Sequence, residues 1–416
     1  MTGIAAAKAP PFALPGEHFA AGIAFLVLGT IGSFLVAPDL AAGAFPLPRV
    51  VGVTHLFTLG WITTSIMGAL YQFLPVALGE PVRSIRAAHV TFGLHVPGLL
   101  AFVAGMVLGQ GVLLLAGATA FGIALMIFIV NLAATLMKAA RRDVTWWALA
   151  AADLFLLVTL VLGLALAGNL RWNYLGPARF LALGTHLHVA LGGWVLLVIV
   201  GVAHRLLPMF LLSHGAGDRP ARAAVALLAT GAGILTVGHH GPPLLAHWLP
   251  TLCLGAGLGA FLLQARLFYR HRHRPALDAG MRLAAAALVL LASGLGLALV
   301  ATALPGAPHI RLAYVVAIIL GISVFIAAHY YKIVPFLVWY HRFGPQAGKQ
   351  PVPRVAELYS NRLATVAGTL LTLGAALLIT GVAAGSTTAA QVGALVLATG
   401  ASIEGLQMAA LARRRP

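Results

Sequence analysis

Apolar residues in this chain come in long runs that recur along its whole length, separated by short polar loops. Twelve such runs lie near 18–37, 51–79, 89–108, 112–137, 146–168, 180–212, 223–238, 246–266, 283–303, 312–340, 362–382 and 389–411. Each reaches or approaches the roughly 20 residues that cross about 30 Å of hydrocarbon. They predict an all-α polytopic membrane protein of 12 transmembrane helices, one transmembrane domain over 1–416. A short segment, 1–17, precedes the first span, and the longest polar loops fall at 266–282 and 341–361. Ten-residue segments of alternating hydrophobicity, which an outer-membrane barrel needs, do not occur.

Spans 2, 6 and 10 are the longest, and each closes on a proline: Leu74-Pro75, Leu207-Pro208 and Val334-Pro335. The separations are 133 and 127 residues, each holding four spans, which predicts three pseudo-symmetric four-helix arcs. The first two copies share a residue frame without a gap. His55, Gly60-Trp61, Gly68 and Leu74-Pro75 reappear 133 residues on as His188, Gly193-Trp194, Gly201 and Leu207-Pro208. The third copy keeps Gly321 at the tryptophan position and Tyr331 at the Tyr71/His204 position, with Val315 in place of the histidine.

Charge adds a direction. The chain is 61% hydrophobic and 8% charged, with a net charge of +17. With the N-terminus inside, only Arg49, Arg171, Arg179 and Arg311 of the 26 lysines and arginines fall outside the inner loops and inner helix ends. That is the positive-inside bias, so both termini are expected in the cytoplasm of a prokaryotic inner membrane. The basic runs then face anionic lipid headgroups, and no nucleic-acid partner is expected. A single cysteine, Cys253, excludes a disulfide framework and a c-type haem attachment.

A histidine in a membrane helix is costly and calls for a specific partner. Twenty residues at 1.5 Å put His55 about 30 Å from Pro75, so His55 and His188 are expected level with one another, near the outer side. The pair suits the two axial positions of a haem b, and the glycines after each histidine let a porphyrin approach the backbone. The competing reading is a histidine hydrogen-bonded to a carbonyl across a helix interface. His186 and His188 point roughly 160° apart on one helix and so would serve two cofactors flanking it. His239-His240 closes span 7 at the same level, and adjacent imidazoles there suit copper or another borderline metal.

With these residues in view, the chain resembles the catalytic subunit of the haem-copper oxidases, in topology over its whole length and in motif at spans 2, 6 and 7. His186-Leu-His188-Val-Ala-Leu-Gly-Gly193-Trp194 is similar to the His-x-His tract of the C-type (cbb-type) members. The resemblance implies that His55 and His188 bind a low-spin haem b, that His186 binds a second, high-spin haem, and that His239 and His240 bind copper. It also implies a quinol or cytochrome as electron donor, reduction of oxygen or nitric oxide, and an additional subunit or second copy. The pattern departs from that family in carrying the His-x-His tract on span 6 rather than span 10, and in lacking a His-Pro-Glu-Val-Tyr tract. The twelve-span haem- and copper-associated NnrS proteins are a second resemblance, in topology.

Other residues gain candidate roles. Arg49, Arg179 and Arg311 each open a repeat helix, and their forks suit haem propionates or interfacial snorkelling. Trp61 and Trp194 suit porphyrin stacking or helix packing alike. Asp153, Glu404, His204 and Lys332 mark a proton path or a polar inner vestibule, whereas His271 and His273 belong to a solvated Arg-rich loop. Catalytic residues are not assigned. An oxidoreductase of the terminal-oxidase or nitric oxide reductase kind ranks first. A non-catalytic haem or copper protein for electron transfer, gas sensing or nitric oxide stress ranks second, and a cofactor-free transporter third.

Overall fold

Hydrocarbon offers no water to the backbone, so a spanning chain must pair its N–H and C=O groups within itself. The computed structural model describes residues 10–238, 248–304 and 306–415, and there this chain pairs them almost wholly in helices. Among the described residues, twelve helices are long and apolar enough to cross a membrane: α1 Ala13–Ala41, α2 Pro48–Ala77, α3 Ile85–Leu108, α4 Gly111–Leu136, α5 Val144–Trp172, α6 Gly176–Leu211, α7 Arg219–Val237, α8 Leu249–Arg270, α9 Ala279–Ala303, α10 Pro308–Gln346, α11 Asn361–Ala383 and α12 Thr387–Ala412. Among the described residues no strand forms; Ser213 with Arg272 and Ala347 with Gln350 make isolated bridges. The protein is all-α and polytopic.

Local chemistry sets the helix starts. Ser84, Asp143, Asp278, Ser360 and Ser386 each accept a hydrogen bond from the backbone N–H three residues on, covering a donor that the first turn leaves open. Proline opens α2 at Pro48 and α10 at Pro308, where its missing N–H costs nothing. The three repeat prolines do not end their helices as the hydropathy pattern suggests. Pro75, Pro208 and Pro335 lie inside them, and α10 runs on through Gln346.

Contacts gather the chain into two units, Met1–Pro15 with Ile66–Pro275 and Gly16–Ser65 with Ala276–Pro416. In the first, α3 lies along α4 and α7 along α8; in the second, α9 lies along α10 and α11 along α12. Two of these hairpins close until backbones touch. A Cβ on Gly117 would stand 2.3 Å from the Phe102 nitrogen, and one on Gly374 would stand 2.3 Å from the Leu397 nitrogen. Small residues at a crossing replace the hydrophobic drive that lipid removes.

The four-helix period is written in polar contacts as well. On α4, Asn131 donates to the Ser84 carbonyl (2.9 Å) and accepts from the Ser84 N–H (3.0 Å). On α8, Gln264 donates to the Gly217 carbonyl (3.0 Å) and accepts from the Ala221 N–H (3.1 Å). On α12, Gln407 pairs with the Ser360 carbonyl (3.1 Å) and the Ala364 N–H (3.3 Å) once its amide is turned to satisfy both. Ser84 to Gly217 and Asn131 to Gln264 are both shifts of 133; Gly217 to Ser360 and Gln264 to Gln407 are both shifts of 143. The last helix of each arc thus clamps the turn that opens the helix before it.

A second device recurs twice. Asp143 caps α5 with one oxygen and pairs with Arg205 of α6 through the other. Asp278 caps α9 through Met281 N (3.0 Å) and pairs with Lys332 of α10 at 2.6 Å. Arg205 and Lys332 are 127 residues apart, the repeat spacing of their helices.

Removing one clamp tests its weight. Gln264→Leu keeps the volume of a side chain only 2% exposed but leaves the Ala221 N–H and the Gly217 carbonyl unclamped. A loss of about 1–3 kcal/mol is expected in reversible denaturation of the protein in detergent; an unchanged midpoint would assign the clamp no weight.

Candidate functional site

Imidazole N–H groups in an apolar helix have one acceptor always within reach, the carbonyl one turn back. His55 Nδ1 lies 2.8 Å from the Val51 carbonyl, and His188 Nδ1 lies 2.7 Å from the Gly184 carbonyl. A carbonyl only accepts, so both Nδ1 atoms carry the proton. In a neutral ring Nε2 is then the lone-pair nitrogen, which is how a histidine ligand is commonly oriented.

The backbone changes at the same two places. The α-helical segment Pro48–His55 passes directly into a π-helix over Leu56–Thr63. The segment Arg179–His188 passes into a π-helix over Val189–Leu196. Both wide segments are 8 residues long, both begin on the residue after the histidine, and they too are 133 residues apart. Eight wide residues in succession are uncommon, and such departures frequently mark functional sites. The third copy, which has Val315 for the histidine, stays α-helical from Pro308 to Val338, and its only wide turn comes later, at Trp339–Phe343.

The tryptophans of the frame are packed. Trp61 is fully buried, donates from Nε1 to the Ser323 carbonyl (3.3 Å) and meets the Tyr330 ring with centroids 4.8 Å apart. Trp194 is 2% exposed and meets Phe128 edge-on at 6.1 Å. His186 turns away from His188, as their spacing requires, and places Nδ1 3.1 Å from the Thr159 carbonyl of α5. Gly163 makes room for it: a Cβ there would stand 3.0 Å from His186 Cε1.

Below the π segment of α2 lies a buried hydroxyl pair. Ser65 Oγ and the Tyr330 hydroxyl are 2.7 Å apart, and Tyr330 also donates to the Phe19 carbonyl at 3.3 Å. Gly22 permits this pair, because a Cβ there would fall 2.7 Å from both oxygens.

The remaining candidates separate. Arg49 is exposed, and its fork already holds the Asp39 carboxylate in a two-point ion pair, with Nε 2.6 Å from Oδ2. Arg179 is exposed and lies over the Phe180 ring, 4.7 Å from its centroid; Arg311 is exposed. His204 is half-buried beside Phe268, with ring centroids 6.0 Å apart, and its Nδ1 has no hydrogen-bond partner. Asp153 is 6% exposed and its Oδ1 has no partner; Glu404 is fully buried and neither oxygen has one. Asp153 and His204 belong to the first unit, Glu404 and Lys332 to the second. His239 and His240 lie outside the described residues, among which no group of three or more His, Cys, Asp or Glu side chains is placed to hold a metal ion.

Three features escape a reading of hydropathy: the π segments, the Asp39–Arg49 pair and the Ser65–Tyr330 pair. The ungapped 133-residue frame is the one sequence signal that marks the first. No protein-family model matches the chain, and no curated protein matches it. The resemblance to haem-copper oxidases therefore stands on the histidine frames and the topology alone.

Coupling across the hydroxyl pair is measurable. Ser65→Ala, Tyr330→Phe and the double variant form a cycle in which each single change removes one side of the contact. A coupling of about 1 kcal/mol is expected from unfolding midpoints, and strictly additive losses would show that the contact carries no energy.

Proposed function

We propose that this chain is a haem b-binding integral membrane oxidoreductase in which His55 and His188 would each supply an imidazole to haem iron. The observation that carries the reading is the doubled frame: a histidine with its Nδ1–H held by its own helix, followed at once by a π-helix. The donor chemistry fits the group. Each Nδ1 proton is held by its own helix, and each Nε2 would be the ligating nitrogen of a neutral imidazole.

A bound haem would supply a one-electron couple inside the membrane. The chain's own contribution is to keep both imidazoles neutral and oriented, and to bury the surrounding helix faces away from water. Arg179 and Arg311 remain exposed guanidinium forks for propionates, whereas Arg49 would first have to leave Asp39. A second haem on His186, copper on His239 and His240, and reduction of oxygen or nitric oxide follow from the resemblance and form the finer part of the proposal. The distribution of basic residues supports an inner-membrane location with both termini in the cytoplasm.

The optical spectrum of protein purified from haem-sufficient cells tests the reading. A Soret band is expected, and it should be lost in both His55→Ala and His188→Ala if the two imidazoles share one iron. Retention of half the band in each would assign them to separate irons. A colourless wild type would overturn haem binding altogether, and carbon monoxide binding to the reduced form would reveal an open coordination position.

A further inference from the structure

The third arc differs from the other two at one buried position. Applying the 143- and 133-residue shifts of the amide clamps to Glu404 leads back to Phe261 and Phe128. All three side chains are buried, at 0%, 3% and 1% exposure. Two arcs thus fill this place with a phenyl ring, and the third fills it with a carboxyl group. The neighbour on the repeat helix corresponds as well. Tyr71 packs edge-on against Phe128 with centroids 5.9 Å apart, and its counterpart Tyr331 lies within electrostatic reach of Glu404.

Both Glu404 oxygens are buried without a hydrogen-bond partner. Around it stand the Tyr330 and Tyr331 side chains of α10, again within electrostatic reach. At the neighbouring glycines of α12, α1 sets the Ile23 and Val27 side chains by Gly405, and α11 sets the Leu370 side chain and the helix backbone at Ala367 and Leu371 by Gly400. An isolated ionised carboxylate in such surroundings is prohibitively costly, whereas the protonated acid is neutral. An intramembrane acid of this kind is a common element of proton relays.

A route to the surface lies on the same side. The Tyr331 hydroxyl is 3.0 Å from the Gln407 amide, one turn along α12 from Glu404. Gln407 reaches the backbone of Ser360, which is exposed, and Tyr331 also meets the half-buried Tyr359 ring with centroids 5.5 Å apart. We propose that Glu404 is a proton-binding site within the second unit, protonated at rest and loaded and unloaded past the Tyr331 hydroxyl. One proton from water adds to one carboxylate oxygen on loading and returns to water on release. The proposal does not depend on haem.

Infrared spectroscopy of the full chain in lipid nanodiscs tests it. Wild type minus Glu404→Gln should show a carboxylic acid C=O band that shifts down when H2O is exchanged for D2O. Tyr331→Phe should slow that shift by tenfold or more. If Glu404→Gln does not fold, Glu404→Asp replaces it and should show a displaced acid band that still exchanges. The proposal is overturned by any of three results: no acid band assignable to residue 404, a band that never responds to D2O, or an exchange rate unchanged in Tyr331→Phe. Because the readout needs no haem, it stands or falls apart from the optical experiment.

Discussion

Polar side chains in this protein are governed by the carbonyl one helical turn behind them. Ser33 donates to Gly29, Thr54 to Val50, His55 to Val51, His188 to Gly184, Ser323 to Ile319 and His329 to Phe325, at 2.7–2.9 Å. A hydroxyl or an imidazole N–H can always use this acceptor, so it can be carried through hydrocarbon without help from another helix. For a histidine the consequence reaches further, because the same bond fixes which ring nitrogen keeps its lone pair. An ionised carboxylate has no proton to donate and could not use the device; a protonated acid could, yet Asp153 Oδ1 and both Glu404 oxygens stand without a partner, while buried serines and threonines mostly have one.

Twelve runs of hydrophobicity were enough to place twelve helices, because length and apolarity are the physical conditions for crossing a bilayer. Their ends were less legible. The first run reads as 18–37 and the tenth as 312–340, whereas the helices extend over Ala13–Ala41 and Pro308–Gln346. Backbone hydrogen bonding continues into interfacial residues that hydropathy counts as polar, and a proline near a helix end interrupts one bond without stopping the turn. The arcs were legible from the three Leu-Pro or Val-Pro sites. The amide clamps that prove the period were hidden, since the third copy has 16 extra residues between Pro335 and Ser360 relative to the span from Pro208 to Gly217 (143 against 127).

Within the candidate site, the histidine frame was readable as a repeat but its backbone was not. A π-helix differs from an α-helix in which carbonyl each N–H meets, and residue hydropathy carries no trace of that choice. Nor does composition distinguish Arg49 facing a propionate from Arg49 facing Asp39, ten residues earlier, which closes the α1–α2 turn on itself. Trp61 and Trp194 look alike in sequence and pack differently: one donates to a backbone carbonyl of α10, the other meets a phenyl ring of α4.

That difference bears on why the wide segments exist. If the indoles imposed them, two unlike anchors would have to produce the same eight-residue distortion in the same register. The histidines, in contrast, are held identically, and the distortion begins at the next residue in both copies. Where the third copy loses the histidine it loses the distortion, although it keeps the long helix and the later proline. The repeat architecture alone therefore does not require a π-helix. Nor does an imidazole held by its own helix widen the backbone by itself, since His329 is held in the same way and its helix stays α-helical to Val338; the distortion belongs to the whole frame that the first two copies share.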